Sequence, residues 1–285
     1  MNVLFPRTRA ELFQALAEPG ARVLAGGTDL LVRLRSGRET AAALVSLDKI
    51  PELRGISETG GEGLGRGLRL GAATTHAELL AHPLVRARLP MLAQALSELG
   101  SPPIRNMGTL GGNICTASPA GDTLPPLMAL GAEVELASAR PHGAGTRRLP
   151  LAEFITGPGR TALAPGEVLA AVQVPPPGAG WVQHFEKVGR RNALAVAVVS
   201  LAALLRTERG GTVAEARLAW GSVGPTVWRC PEAEAVLVGR RLSLTALGEA
   251  AAVVRARVKP MDDVRASADY RRTVAGNLLL RLVAL

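Results

Sequence analysis

Cysteine is nearly absent from this chain. Cys115 and Cys230 are the only two, too few for the four thiolates of a typical iron–sulfur cluster or a cysteine-rich zinc site, so no cluster and no metal centre is expected within it. Aromatic residues make up 3% of the sequence, which leaves an aliphatic core and little on which nucleic-acid bases would stack. No run approaches the roughly 18 uninterrupted apolar residues of a membrane helix, and Met1–Arg7 lacks the apolar centre of a signal peptide. The expected location is the cytoplasm. Two phosphate-binding signatures are also missing. There is no Gly-x-x-x-x-Gly-Lys, and the glycine-dense residues 60–67 fit Gly-x-Gly-x-x-Gly in no register and lie between strand-like segments, so they read as a hairpin loop. His76 has no nucleophile motif beside it and reads as a solvated helix residue rather than a base.

What is present describes a globular protein. The 285 residues are 47% hydrophobic and 20% charged, enough for one large domain or two ordinary ones. The net charge of +9 comes from arginines scattered singly and in pairs such as Arg147-Arg148 and Arg190-Arg191. A scattered basic charge with few aromatics does not make a nucleic-acid surface.

Two glycine-rich stretches stand out. The longer runs from Arg105 to Asp122 and holds Gly108, Thr109, Leu110, Gly111, Gly112, Asn113, Ser118 and Asp122. Segments this poor in bulky side chains let the backbone approach a ligand, and glycine dihedrals expose consecutive N–H groups to one anion. Thr109 and Ser118 add hydroxyls, Asn113 an amide, and Asp122 an acceptor for a sugar hydroxyl. The same pattern also suits a turn that only reverses the chain. The second stretch, Leu24-Ala25-Gly26-Gly27-Thr28-Asp29-Leu30, leads from an apolar strand into a Gly-Gly-Thr-Asp turn. Two such elements suit a ligand with two phosphates approached from two sides, as in a dinucleotide.

Along the chain, Thr8 with Glu11 and Thr75 with Glu78 have capping-box spacing. Strands are expected at 23–24, 43–47, 68–70, 133–136 and 167–174, and helices from about 76, at 91–99 and at 124–130. Residues 138–146 read as a flexible loop. Pro175-Pro176-Pro177-Gly178 cannot continue a sheet interior and marks a boundary. Beyond it, strands are expected at 181–187, 194–205 and 213–220, then helices at about 231–238, 243–257 and 267–283. The fold class is α+β, with a first part over 1–177 (subdomains about 1–54 and 55–177) and, over 178–285, a small antiparallel sheet packed by helices.

In order and spacing, Ala25–Leu31, Gly71–Thr75, Arg105-Asn106 with Thr109–Asn113, Ala117–Pro119 with Asp122, Phe185–Arg191 and Arg265–Arg272 resemble the FAD-binding medium subunit of molybdenum hydroxylases, the xanthine dehydrogenase and carbon monoxide dehydrogenase family. The resemblance covers nearly the whole chain. It implies an FAD module of the vanillyl-alcohol-oxidase type followed by a C-terminal α+β domain, with the FAD pyrophosphate against the two Gly-Gly turns and Asp122 on the ribitol or ribose. It further implies cofactor contacts at Ala73, Thr74 and Leu169, the last equally readable as core. Lys187 is implied to steady negative charge on the reduced ring. In relatives of this kind a large subunit carries the molybdenum cofactor and a small subunit two [2Fe–2S] clusters, assembled as a dimer of heterotrimers. FAD then reduces NAD, O₂ or a quinone. Two other readings remain open on sequence: a stand-alone flavin reductase related to the cell-wall sugar-nucleotide reductases, and a basic binding protein whose glycines are structural turns.

Overall fold

The computed structural model describes residues 2–60, 67–140, 143–175, 177–178 and 180–285. Residues 61–66 of the stretch read as a hairpin loop, residues 141–142 of the one read as a flexible loop, and Pro176 and Ala179 of the boundary lie outside the described residues. The chain forms two compact units. One comprises Met1–His82, Ser101–Thr116 and Ala132–Pro175, and the other Pro83–Gly100, Ala117–Gly131 and Pro176–Leu285.

In chain order the elements are β1 (Asn2–Leu4), α1 (Arg9–Leu16), β2 (Ala21–Leu24), α2 (Leu30–Arg35), β3 (Ala43–Ser46), β4 (Ile56–Thr59), β5 (Gly67–Gly71), α3 (His76–Ala81), α4 (Pro83–Arg88), α5 (Pro90–Glu98), α6 (Pro102–Met107), α7 (Leu110–Thr116) and α8 (Leu124–Ala129). Then come β6 (Glu133–Arg140), β7 (Gly143–Pro150), α9 (Leu151–Phe154), β8 (Ile155–Gly157), β9 (Arg160–Thr161) and β10 (Glu167–Val174). The remainder is β11 (Trp181–Val188), β12 (Val199–Thr207), β13 (Val213–Gly221), β14 (Trp228–Arg229), α10 (Pro231–Leu237), α11 (Leu244–Arg257) and α12 (Ala268–Leu280).

The first unit holds a parallel sheet in the order β1-β3-β2, whose strands are joined through helices because parallel neighbours cannot be linked by a tight turn. It also holds an antiparallel sheet in the order β4-β5-β10-β6-β7. Strand β10 is central and buried along nearly its whole length, which is why it reads as a continuous apolar run. Leu12, Phe13, Val45, Leu47, Ile50, Leu53, Val168 and Ala170 form a shared core. Both capping signals mark real helix starts. Thr75 and Glu78 form the full reciprocal box, whereas Glu11 reaches one residue further back, accepting from the Arg7 N–H at 2.8 Å instead of from Thr8. Residues 138–140 and 143–146 are not a loop. They belong to the β6–β7 hairpin, where polar side chains are tolerated because β7 is an edge strand.

The second unit has the expected antiparallel sheet, in the order β11-β12-β13-β14. Leu201, Ala203, Leu205, Leu218 and Trp220 pack with Leu247, Val254, Leu278 and Leu279 of the terminal helices. The alternate residues Ala202 and Leu204 are buried too, and the sheet also carries α5 and α8, which precede the proline boundary in the chain. Strand β12 begins only at Val199, because the preceding backbone turns through Leu194 at φ 56°. A buried arginine closes this end. The Arg271 guanidinium donates to the Val198 carbonyl at 2.7 Å, to the Ser222 carbonyl at 3.3 Å and to Asp263 at 2.6 Å.

Candidate functional site

Strand β2 ends at Leu24, and the chain then turns through Ala25, Gly26, Gly27 and Thr28 into α2. Gly27 has φ +69°, a conformation that strains any L side chain. A Cβ on Gly26 would lie 1.8 Å from the Met107 carbonyl oxygen and 2.9 Å from Gly108 Cα. The two glycine elements read from the sequence are thus brought into backbone contact within one unit. Asp29 occupies the N-cap position of α2 without capping it. Its carboxylate instead accepts from the Thr116 hydroxyl at 3.1 Å and pairs with Arg33 at 2.9 Å. The consequence lies in the backbone. Among the described residues, none of the N–H groups from Ala25 to Leu30 donates a hydrogen bond, although every one of these residues is half-buried. A run of unmet donors beside glycine is costly unless something accepts from them, and converging N–H groups form an anion site.

The second glycine stretch departs from expectation. Gly111 and Gly112 lie in the first turn of α7 rather than in an open loop, with no positive φ. Their donors are already committed. Leu110 N–H donates to Thr74 O at 3.0 Å, Gly111 to Ala72 O at 2.8 Å, Asn113 to Thr109 O at 3.0 Å, and Gly112 to the Thr109 hydroxyl at 3.1 Å. These residues therefore present no row of free N–H groups. What glycine supplies here is closeness. A Cβ on Gly111 would sit 2.7 Å from Ala72 Cβ and 2.9 Å from Ala72 O, so α7 can lie against the end of β5 only without one. Gly112 differs, since it is half-buried and its Cβ would meet only the Thr109 hydroxyl, at 3.0 Å.

Other candidates take structural positions. The Thr74 hydroxyl accepts from Gly55 N–H at 2.9 Å and is buried with neighbouring Ala73. Leu169 is buried in central β10, at a β-bulge. His76 is not solvated. Only 3% of it is exposed, its ring faces Gly108, its Nδ1 has no partner among the described residues, and burial with the nearby Arg105 charge lowers its pKa to about 4. No motif in the sequence marks that burial. Burial pushes the Cys115 thiol up to about 12, which makes it unreactive.

In the second unit, Ser118 accepts from Ala120 N–H at 3.3 Å, and Asp122 forms a buried pair with Lys187. The Lys187 ammonium lies 2.9 Å from Asp122 Oδ2 and 2.6 Å from the Glu98 carbonyl oxygen, with both side chains less than a tenth exposed. Asp122 Oδ1 is buried with no partner among the described residues. Burial raises the Asp122 carboxyl to about 6 against the pull of Lys187, and Glu98 pushes the same way as burial. Neither Glu98 nor this pairing is signalled by any sequence motif. Among the described residues no group of histidine, cysteine or carboxylate side chains is placed to hold a metal, and no helix is long and apolar enough to cross a membrane.

Known proteins match the chain along nearly its whole length. Residues 1–177 match the model for the FAD binding domain in molybdopterin dehydrogenase, and residues 183–284 that for the CO dehydrogenase flavoprotein C-terminal domain. The xanthine dehydrogenase FAD-binding subunit of Escherichia coli O157:H7 is 35% identical over 269 residues, covering 93% of this chain and 88% of that protein. The carbon monoxide dehydrogenase medium chain of Hydrogenophaga pseudoflava is 32% identical over 280 residues, covering 97% and 93%. Among solved structures, carbon monoxide dehydrogenase from the same organism superposes with a TM-score of 0.90 at 33% identity, over 99% of this chain and 95% of that one. Quinoline 2-oxidoreductase from Pseudomonas putida 86 gives 0.91 at 30% identity, over 100% and 95%.

Proposed function

Because the chain belongs to the FAD-binding subunits of the molybdenum hydroxylase family, we propose that it relays electrons from the [2Fe–2S] clusters of a small partner subunit to an external acceptor such as NAD, O₂ or a quinone. Substrate oxidation then belongs to a large subunit carrying the molybdenum cofactor, and the assembly is a cytoplasmic dimer of heterotrimers. FAD, when bound, supplies the redox chemistry, and the protein supplies binding, orientation and electrostatics.

The observation that carries this reading is the run of undonated N–H groups from Ala25 to Leu30, seated against Met107 and Gly108. These donors suit a diphosphate, whose oxygens accept without offering a proton in return. Gly26 lets the backbone of Met107 and Gly108 close on the turn, Gly112 leaves the first turn of α7 without a side chain, and the Thr109 hydroxyl ties that turn. Asp122 Oδ1 is suited to accept from a ribitol or ribose hydroxyl. No acid–base dyad is required of this chain.

The test is an absorption spectrum of the purified chain after FAD is added and the excess removed, followed by competition with ADP, inorganic pyrophosphate and riboflavin. Flavin bands at near-stoichiometric occupancy, displaced by ADP and pyrophosphate more readily than by riboflavin, are expected. A folded chain that takes up no FAD, alone or co-expressed with its partners, refutes the reading.

A further inference from the structure

The chain has three tryptophans, and two of them belong to the core of the second unit. Trp220 is fully buried and Trp228 packs against it, with ring centroids 5.8 Å apart. Trp181 differs. It opens β11 at one end of the four-stranded sheet, is only half-buried, and its ring faces two guanidinium groups. Arg206 of β12 lies 5.9 Å and Arg217 of β13 lies 5.7 Å from its centroid, within the range of a cation–π contact. The strand register makes the cluster. Trp181 is opposite Arg206, Arg206 is opposite Glu215, and Arg217 is the next residue along the same face of β13.

The two arginines are not equivalent. Arg206 donates twice to Glu215 Oε1, at 2.9 and 2.6 Å, so its charge is already met. Arg217 is half-buried as well, yet among the described residues its guanidinium makes no hydrogen bond and faces no carboxylate. It passes the C-terminal end of α8, where a Cβ on Gly131 would lie 3.4 Å from its Nη1, and donates to none of the carbonyls there. A partly desolvated cation with unused donors is costly, and an anion arriving from outside offsets that cost. The surrounding charge favours such an anion. At the same end of the sheet, Arg209 in the β12–β13 turn and Arg241, bridged to Thr212, are exposed, and their side chains are unpaired among the described residues; Glu208 is the unpaired carboxylate beside them.

We propose that Trp181 and Arg217 anchor the contact of this chain with a partner subunit, Arg217 taking an acidic side chain of that subunit while the indole covers its apolar stem. A carboxylate fits the planar guanidinium fork through two parallel hydrogen bonds. Because the guanidinium already rests on the ring, it loses little freedom when the carboxylate arrives. Tryptophan and arginine are also the residues that most often dominate the energy of an interface. This inference rests on the proposed multi-subunit assembly and uses residues of the second unit alone.

The test takes the complex co-expressed with its small and large subunits and measures how fast this chain leaves it, by exchange with an excess of a labelled wild-type copy. Wild type, Arg217→Gln, Arg217→Lys, Trp181→Leu and Arg209→Gln are compared at low and physiological salt. Arg217→Gln and Trp181→Leu should each speed release at least about thirtyfold, the effect of truncating one side of an anchored charge pair. Arg217→Lys should recover only part of that loss, since an ammonium lacks the fork. Arg209→Gln removes the same charge from an exposed position and should change release by no more than about threefold. FAD content should be that of wild type in every variant. Equal effects of Arg217→Gln and Arg209→Gln would reduce the cluster to a diffuse positive field, and unchanged release in Arg217→Gln would leave it without a partner subunit; either result overturns the inference. So does a dimer of the isolated chain, seen by sedimentation, that Arg217→Gln dissociates while release from the complex is unmoved, because the occupant is then a second copy. If Trp181→Leu fails to fold, the two Arg217 variants decide, since they break no hydrogen bond within the described residues. A folded wild-type chain that forms no complex with the two subunits instead removes the assembly reading itself.

Discussion

Gly111 and Gly112 are adjacent, yet alanine should act on them in opposite ways. At Gly111 the new Cβ would lie 2.7 Å from Ala72 Cβ, about 1 Å inside a normal carbon–carbon contact. The Ala72 carbonyl at 2.9 Å is backbone and cannot swing aside. Helix α7 must lift, which strains the Gly111 N–H bond to Ala72 and the Leu110 N–H bond to Thr74. Overpacking costs about 1–3 kcal/mol and two weakened hydrogen bonds about 1 kcal/mol each, against a gain of about 1 kcal/mol in helix propensity. The expected net loss is about 2–4 kcal/mol. At Gly112 the same propensity gain opposes one tight approach to the Thr109 hydroxyl, so the FAD-free chain should stay within about 1 kcal/mol of wild type. Its added methyl narrows the approach over the first turn of α7 and should weaken FAD by at least about tenfold. Urea unfolding of the FAD-free proteins reads the first quantity and FAD titration the second. A Gly111→Ala chain as stable as wild type refutes the packing account, and a Gly112→Ala chain with wild-type FAD affinity refutes the ligand assignment.

Acid should expose two opposed titrations. His76 takes up a proton near 6.5 when unfolded but only near 4 when folded, so its contribution to stability falls as pH drops through that interval, while Asp122, raised from 3.8 to about 6, adds stability as pH drops from about 6 towards 3.8. Asp122→Asn should therefore steepen the acid loss of urea midpoint and His76→Gln should relieve it; identical pH slopes in all three proteins would contradict both environments. Arg271→Met should destabilise the chain by about 2–4 kcal/mol in urea unfolding, because it strands the Val198 and Ser222 carbonyls and takes from Asp263 one of the two arginines paired with it. A loss below about 1 kcal/mol would show that the guanidinium is not a tie.

What could be read from the sequence was what local chemistry decides. The Thr75–Glu78 box starts a helix because both partners lie within one turn, and residues 167–174 announce a central strand by being apolar on both faces. The first glycine turn was legible for the same reason, since Gly27 needs a positive φ within its own backbone. The second was misjudged in mechanism. Gly111 is glycine because Ala72, distant in sequence, approaches it, and no local pattern distinguishes that need from a flexible loop. His76 hides its burial likewise, and Asp122 its partner, because both depend on elements that arrive from elsewhere in the chain. Residues 143–146 misled through polarity, which at an edge strand carries no information about looping.

The way the second unit is threaded also governs its synthesis. Its sheet begins at Trp181 and its last helix ends at Leu280, but α5 and α8, which lie on that sheet, have already been made by Ala129. At about 5–20 residues per second, their apolar faces wait several seconds on the ribosome for a partner, while the first unit has every segment it needs once Pro175 has emerged. A fragment beginning after the proline boundary would lack both helices and expose the sheet face they cover. The smallest piece that can be born folded is therefore the whole chain or its first unit with the two waiting helices left uncovered, and the latter is the form a molecular chaperone would meet.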